Sequence, residues 1–135
     1  MTTIEAIIER ASDGTFSVYC KDEIFSGTGA SIEDAKADML AQMKFYKETA
    51  IAEGFQYPSF LDEEYDISYT VDAQSLMRYY VDSGIITLSG MEKVTGINQK
   101  QLWGYLHGTK PRKAQKDRIV SGFRALNRDL NAMFA

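Results

Sequence analysis

One segment, from Thr87 to Pro111, limits what this chain can fold into, because its residues follow the spacing of a helix-turn-helix. Met91 and Val94 recur at helical spacing and predict a first short helix. Gly96 follows them and can adopt the positive φ that ends a helix, and Ile97 then supplies an apolar side chain to fill the turn. The segment therefore predicts two short helices that pack together at a tight turn.

The second predicted helix starts at Asn98, a favourable N-cap residue, and Gln101 stands three positions later as its capping-box partner. Its apolar residues are spaced to face inward: Leu102, Tyr105 and Leu106. The opposite face is polar, and the first turn of such a helix contacts base edges and phosphates in the DNA major groove. The sequence therefore predicts binding of double-stranded DNA, as an operator, by residues of this helix: Asn98, Gln99, Lys100, Gln101 and Trp103.

Trp103 differs in character from the other predicted DNA-binding residues, because its helical position places an indole outward beside Lys100. An exposed indole favours one of three contacts, which are DNA, a neighbouring subunit and the loop that follows the helix. Gly104 occupies a position from which a base-reading side chain often projects. The side chains that recognise the DNA bases are therefore expected to lie mainly in the first turn of this helix.

The charge of the chain is divided between its two halves. Residues 1–70 contain 5 Lys or Arg and 14 Asp or Glu, which gives 5 − 14 = −9, whereas residues 71–135 contain 10 and 5, which gives 10 − 5 = +5. A basic surface is expected of a domain that binds phosphates, and an acidic surface repels DNA and attracts basic partners. The division predicts two domains, 1–70 and 71–135, with separate binding functions.

Five cations cluster near the start of the last predicted helix: Lys110, Arg112, Lys113, Lys116 and Arg118. The N-terminus of a helix ordinarily favours acidic residues, because the positive end of the helix dipole lies there. Contact with DNA phosphates explains these cations better than a solvated helix start does. Lys110, Arg112 and Lys113 are therefore added to the predicted DNA-binding residues.

Strand and helix signals alternate in the first half of the chain. Alternation of apolar and polar residues predicts four strands: Thr3–Arg10, Phe16–Lys21, Ile24–Thr28 and Tyr65–Val71. Asp13 and Gly14 indicate a hairpin turn between the first two. Ser31 is the N-cap signal of a long helix that Gly54 ends. The apolar stripe of this helix is Ile32, Ala35, Met39, Met43 and Tyr46.

Residues 55–63 contain Pro58 and no clear period, so they are expected to form a connection over the surface. Helical signals resume after Asp72, which is a candidate N-cap. The predicted class is α+β, with a small β-β-β-α-β domain followed by an all-α helix-turn-helix domain.

Composition disfavours several kinds of site. Cys20 is the only cysteine and His107 the only histidine, so neither a disulfide within the chain nor a Cys/His metal cluster is expected. Cys20 lies in an alternating strand pattern, which favours a packed thiol over a nucleophile. His107 follows the predicted recognition helix, where a capping or phosphate-facing role is expected. The sequence predicts no metal site and no cofactor.

The chain has no apolar run of about 18 residues. Its first ten residues, MTTIEAIIER, are too short and too interrupted by charge for a signal peptide. The sequence therefore predicts a cytoplasmic protein that does not contact a membrane.

The last predicted helix has an apolar stripe longer than a small domain needs: Ile119, Phe123, Leu126, Leu130, Met133 and Phe134. A single helix-turn-helix contacts few bases, and such proteins pair two copies about one helical turn of DNA apart. The stripe therefore predicts a homodimer or a tetramer.

Two motifs in the first half, with the helix-turn-helix after them, resemble one family. D-G-T-F-S-V-Y (Asp13–Tyr19) and G-T-G-A-S-I-E-D-A (Gly27–Ala35) are similar to the start of HicB antitoxins. The domain of that family is a truncated RNase H-like sheet without catalytic function. The segment Leu88–Pro111 resembles the Cro/CI-like module that some HicB proteins carry at the C-terminus. K-D-E-I-F-S-G (Lys21–Gly27) stands where the family usually has P-D-L-P-G-C.

The resemblance implies an antitoxin with two functions. Its N-terminal domain would bind and mask a small basic HicA-type toxin that cleaves mRNA, and its C-terminal domain would repress the operon. The candidate toxin-binding residues are Glu33, Asp34 and Asp38. Acidic residues are also favoured at any helix N-terminus, and the sequence does not separate the two explanations.

Two alternatives follow from the same residues. An enzyme related to RNase H would need carboxylates that converge within a few ångströms, and Glu5, Glu9 and Asp66 are the only candidates. Their positions in the strand patterns place them on the solvated face of the sheet, so no catalytic residue is predicted. The other alternative is a stand-alone regulator, whose N-terminal domain senses a ligand or only dimerises. It would bind DNA without a toxin partner.

Overall fold

The computed structural model describes residues 1–135 and divides them into two compact units, Met1–Asp72 (unit 1) and Ala73–Ala135 (unit 2). The boundary predicted from the sequence, after residue 70, falls inside the last strand. The protein belongs to the mixed α+β class, as predicted, with one four-stranded mixed sheet and five α-helices. None of these helices combines the length and the apolar character needed to cross a membrane.

The elements follow one another in a simple order. Unit 1 contains β1 (Thr2–Arg10), β2 (Phe16–Cys20), β3 (Ser26–Gly29), α1 (Ile32–Glu53), a short 3-10 helix (Ser59–Asp62) and β4 (Tyr65–Val71). Unit 2 contains α2 (Ala73–Asp82), α3 (Leu88–Thr95), α4 (Gln99–Leu106) and α5 (Lys113–Phe134). The strand order in the sheet is β3-β2-β1-β4, and β1 runs antiparallel to β2 and parallel to β4.

A tight turn at Asp13 and Gly14 joins β1 to β2, as predicted. Gly14 has a φ of 91°, which favours glycine. The Asp13 carboxylate accepts hydrogen bonds from the Thr15 hydroxyl (2.7 Å) and the Thr15 N–H (2.9 Å). Both bonds favour the charged carboxylate and lower the pKa of Asp13, the hydroxyl bond more than the N–H bond. The turn thus fixes the register of the hairpin.

The core of unit 1 lies between α1 and one face of the sheet. The predicted inward faces of β1 and β2 are confirmed: Ala6, Ile8, Val18 and Cys20 are buried, and Ile4 and Phe16 pack against them. β3 comes so close to α1 that a Cβ atom at Gly27 would collide with the Ala35 carbonyl oxygen and the Met39 backbone nitrogen. Glycine is therefore required at residue 27 for the helix to reach the sheet.

Three details of unit 1 differ from the sequence prediction. Ile32, predicted in the buried stripe of α1, is 37% exposed, because side chains of a helix lean toward its N-terminus and this residue begins the helix. The third strand starts at Ser26 and not at Ile24, which is 73% exposed while Phe25 turns inward. The expected surface connection contains the 3-10 helix, whose Phe60 is buried within an aromatic cluster.

Unit 2 has its own apolar core, formed by side chains from all four of its helices and from the turn after α3: Ala73, Met77, Met91, Ile97, Leu102, Tyr105 and Ile119. A Cβ atom at Gly122 would collide with the Val94 carbonyl oxygen, so α5 packs directly on the α3 backbone. The Gln74 amide donates hydrogen bonds to the carbonyl oxygens of Tyr105 (2.9 Å) and Thr109 (3.2 Å). These contacts fix the positions of α4 and the loop after it.

Candidate nucleic-acid interface

The turn between α3 and α4 has the predicted geometry. Thr87 caps the start of α3 by accepting a hydrogen bond from the Gly90 N–H, and Gly96 ends the helix with a φ of 72°. Ile97, which is 1% exposed, packs in the unit 2 core as the predicted filler of the turn. The Thr95 hydroxyl accepts a hydrogen bond from the Ile97 N–H at 3.1 Å, a contact that the sequence did not suggest. The two helices are therefore held at a fixed turn.

The first turn of α4 is capped and exposed. The Asn98 side-chain oxygen accepts a hydrogen bond from the Gln101 N–H at 2.9 Å, which confirms the predicted N-cap. Gln99, Lys100 and Gln101 are all exposed around this turn. The Gln99 amide donates to the Glu92 carboxylate at 3.1 Å, so one of the three is already oriented by α3. The first turn of α4 therefore presents helix N-terminal N–H groups and polar side chains in one place.

Trp103 and His107 form a stacked pair at the C-terminal end of α4. Their ring centroids are 3.8 Å apart with 19° between the planes, and the Trp103 side chain is exposed, as its helical position predicted. His107 Nδ1 lies 2.7 Å from the Trp103 carbonyl oxygen, which only accepts, so Nδ1 carries the proton. His107 is the C-cap residue, which confirms the capping role. The stack is one of the three contacts expected for this indole, the one with the segment that follows α4, although the sequence did not identify His107 as the partner.

The cations before and within the first turns of α5 differ in their surroundings. Lys110 and Arg112 are exposed, and Arg112 occupies the N-cap position without a capping side-chain bond. Lys113 forms an exposed ion pair with Asp117 at 3.1 Å, of the kind that stabilises little. Arg118 donates to the Gly96 carbonyl oxygen at 2.8 Å and so ties α5 to the α3–α4 turn. That structural contact explains Arg118 without a phosphate.

The three predicted toxin-binding residues have unequal positions. Glu33 and Asp34 are exposed in the first turn of α1, where the Ser31 hydroxyl accepts the Asp34 N–H at 3.0 Å. The Asp38 carboxylate instead accepts the Thr28 N–H at 2.9 Å. Asp38 therefore ties α1 to the edge strand β3, a role that the sequence did not suggest because the partner is ten residues away.

The carboxylates considered for nuclease chemistry are engaged separately. Glu5 forms an exposed ion pair with Lys21 at 3.4 Å, and Glu9 accepts a hydrogen bond from the Tyr19 hydroxyl at 3.1 Å. Partial burial, followed by the nearby Glu9 charge, raises the pKa of Tyr19 to about 12. Asp66 accepts the N–H of its neighbour Ile67. No group of three His, Cys, Asp or Glu side chains comes together where a metal ion could be held.

Cys20 is a packed thiol, as predicted. Its side chain is 4% exposed, and Sγ lies 3.8 Å from the Met39 sulfur in the core of unit 1. Burial raises the pKa of the thiol, with a smaller contribution from the Glu23 charge. A raised pKa disfavours the thiolate, so the site lacks the character of a nucleophile.

Comparison with known proteins gives no relative from which a function can be transferred: no family model, no curated protein and no solved structure matches this chain.

Proposed function

We propose that the protein is a HicB-like antitoxin and autorepressor, with a truncated RNase H-like domain in unit 1 and an all-α DNA-binding domain in unit 2. The DNA-binding part of the proposal rests on the capped turn from Gly96 to Asn98. The exposed side chains of Gln99, Lys100 and Gln101 follow directly after this turn. DNA binding of this kind implies a cytoplasmic location and an operator as the ligand.

The first turn of α4 has the chemistry that base and phosphate recognition needs. Lysine donates to the O6 and N7 acceptors of guanine, and glutamine pairs with adenine through its two-sided amide. The N-terminal N–H groups of the helix favour a phosphate oxygen. Because Glu92 holds the amide of Gln99, we assign base reading mainly to Lys100 and Gln101.

Further contacts are proposed outside this turn. Lys110 and Arg112 are exposed cations in the loop after α4, and Lys113 follows them at the start of α5. These residues fit contacts to the phosphate backbone, which position a protein without reading sequence. Trp103, held by its stack on His107, supplies an apolar plane for a thymine methyl group or a sugar.

The test of DNA binding uses a duplex that the full chain selects from a randomised pool. Lys100→Ala should weaken binding to this duplex by about 1–3 kcal/mol if Lys100 reads a guanine, with the loss confined to one base position. Lys44→Ala, which changes another exposed lysine, on α1, is the matched control and should bind as the wild type does. Failure of the pool to enrich any sequence at physiological salt would refute DNA recognition.

The toxin-binding part rests on the acidic charge of unit 1 and on the HicB-like motifs. The test is co-expression of the full chain with a short basic protein encoded beside it, followed by co-purification. Glu33→Lys with Asp34→Lys should slow association if this face steers the partner, whereas Glu48→Lys, exposed further along α1, should have a smaller effect.

A stand-alone regulator is the second candidate, because the exposed acids of α1 are equally explained by the helix dipole. It predicts the same DNA binding and no co-purifying protein. The co-expression experiment therefore separates the two candidates without affecting the DNA-binding test.

A further inference from the structure

The distal part of α5 carries apolar side chains that unit 2 leaves exposed. Ile119 is fully buried and Phe123 packs against the core, but the helix continues for about three turns beyond Phe123. In these turns Leu130, Met133 and Phe134 are 45%, 68% and 84% exposed. We call these three residues the C-terminal ridge.

A groove of about 420 Å³ lies beside the ridge in the same unit. Its lining comes from α2, the turn after α2 and α5, and it includes Leu76, Tyr80, Ile85, Ile86, Phe123 and Leu126. No lining residue carries a charge. Ile85 is one of these lining residues and is 61% exposed. The groove is therefore a largely apolar recess, in which Asn127 supplies the one amide side chain.

The ridge and the groove form one surface, because Leu130 belongs to the ridge and also lines the groove. A two-fold interface brings the same patch of both copies together, so the patch must contain both a projection and a recess. Antiparallel pairing of two α5 helices about Leu130 sets Phe134 of one copy opposite Leu126 of the other, since each lies four residues from the centre. The ridge of each copy then reaches the groove of the other.

Charge and area are compatible with a second copy as the occupant. Arg124 and Arg128 lie on the side of α5 away from the ridge at 3.6 residues per turn, so the two helices can approach without opposing arginines. With about 200 Å² for a large apolar side chain, the ridge and Ile85 expose on the order of 500 Å². That is more than half of the roughly 800 Å² that each partner buries in a standard interface.

We infer that two copies of this chain dock reciprocally, with the C-terminal ridge of each seated in the α2–α5 groove of the other. The inference rests on the proposed function for its purpose, which is to pair two helix-turn-helix modules on one operator. The docking itself needs no DNA.

The experiment is sedimentation of the full chain over a concentration series without DNA. The wild type should dimerise at micromolar concentration, and Ile85→Asp in the groove or Phe134→Asp on the ridge should each weaken association at least 100-fold. Ile51→Asp is the matched control, because Ile51 is 62% exposed on α1. All three positions are exposed, so far-ultraviolet circular dichroism should show a folded chain in each variant.

Mixing the two defective variants tests the reciprocal geometry. A pair of Ile85→Asp and Phe134→Asp chains retains one wild-type ridge facing one wild-type groove, so the mixture should form heterodimers at concentrations where each variant alone is monomeric. Helices that met only ridge to ridge would give no such recovery, because every pair that includes the ridge variant is impaired.

Three results would overturn the inference: a monomeric wild type at 100 μM, equal dissociation of the Ile51→Asp control, or no recovery in the mixture. A monomeric wild type that still selects one duplex sequence would refute the docking and leave the proposed DNA binding intact. A dimer that selects no sequence would refute the DNA binding and leave the docking intact.

Discussion

Two helices of this protein have the same length, 22 residues, and very different surroundings. α1 lies on a sheet and buries four side chains: Ala35, Met39, Met43 and Ala50. α5 lies on short helices and buries only Ile119. A sheet offers a broad face that can cover a long helix, whereas α2, α3 and α4 have 8 to 10 residues each and cover only part of one. The uncovered part of α5 is the surface on which we propose that a second copy docks.

The two helices also begin differently. Ser31 caps α1, and Glu33 and Asp34 occupy its first turn, where acidic side chains complement the helix dipole. α5 has Arg112 at its N-cap position without a side-chain cap bond, and Lys113 is its first residue. The start of α1 therefore complements the helix dipole, whereas the start of α5 lacks both a side-chain cap and an acidic first turn, which agrees with the phosphate contacts proposed for it.

The largest expected contrast is between two methionines. Met39→Ala removes a fully buried side chain of α1 and should lower the free energy of unfolding by about 2–5 kcal/mol. Met133→Ala on α5 should change the stability of the monomer by less than about 0.5 kcal/mol, because Met133 is 68% exposed. Urea unfolding followed by circular dichroism at low protein concentration measures both, and equal losses would contradict the comparison.

The contact between α5 and α3 can be broken at a single glycine. In Gly122→Ala the added methyl group collides with the Val94 carbonyl oxygen. Overpacking should lower the free energy of unfolding by about 1–3 kcal/mol, which should exceed the gain of about 1 kcal/mol from helix propensity. We therefore expect the variant to be less stable than the wild type. Trp103, the only tryptophan, reports unfolding of unit 2 by fluorescence.

Ser121→Ala is the control for this change, because Ser121 is the exposed neighbour of Gly122 and receives only the propensity gain. It should be slightly more stable than the wild type. A Gly122→Ala variant as stable as this control would mean that α5 does not need to approach the α3 backbone closely.

The smallest expected effects are at the two helix starts, and they have opposite signs. Ser31→Ala should destabilise unit 1 by about 1 kcal/mol, because the Asp34 N–H loses its acceptor. Arg112→Ser should stabilise unit 2 by a similar amount through a new cap and should also weaken DNA binding by removing a proposed phosphate contact. Thermal unfolding and DNA titration of the same variant check both parts. A stabilised variant with unchanged affinity would remove Arg112 from the interface.

Much of the fold followed from local patterns. Alternation in β1 and β2 predicted the buried faces with Ala6 and Val18, because side chains of a strand point to opposite sides in turn. Gly96 and Asn98 were identified as the end and the start of helices, since capping involves groups only a few residues apart. The positions of Lys100 and Trp103 on the exposed face of α4 followed from the same periodicity.

Contacts between distant residues were not predictable in this way. Asp38 was a candidate toxin-binding residue, yet it accepts the Thr28 N–H, and Arg118 was grouped with phosphate-binding cations, yet it donates to the Gly96 carbonyl oxygen. In both cases the side chain has a suitable charge for a ligand and a backbone partner that only the folded chain brings near. Phe60, in a segment without a clear period, is buried because folding brings the rings of Phe25 and Tyr65 against it.

The sequence by itself determined the class of the fold, the capped α3–α4 turn and the division of charge, because each depends on residues within a few positions of one another or on composition alone. Only the tertiary structure decided which acids and cations remain free, and how much of α5 is covered. Those properties depend on pairs of groups such as Gly122 and Val94, far apart in sequence, whose separation is set when helices and strands pack.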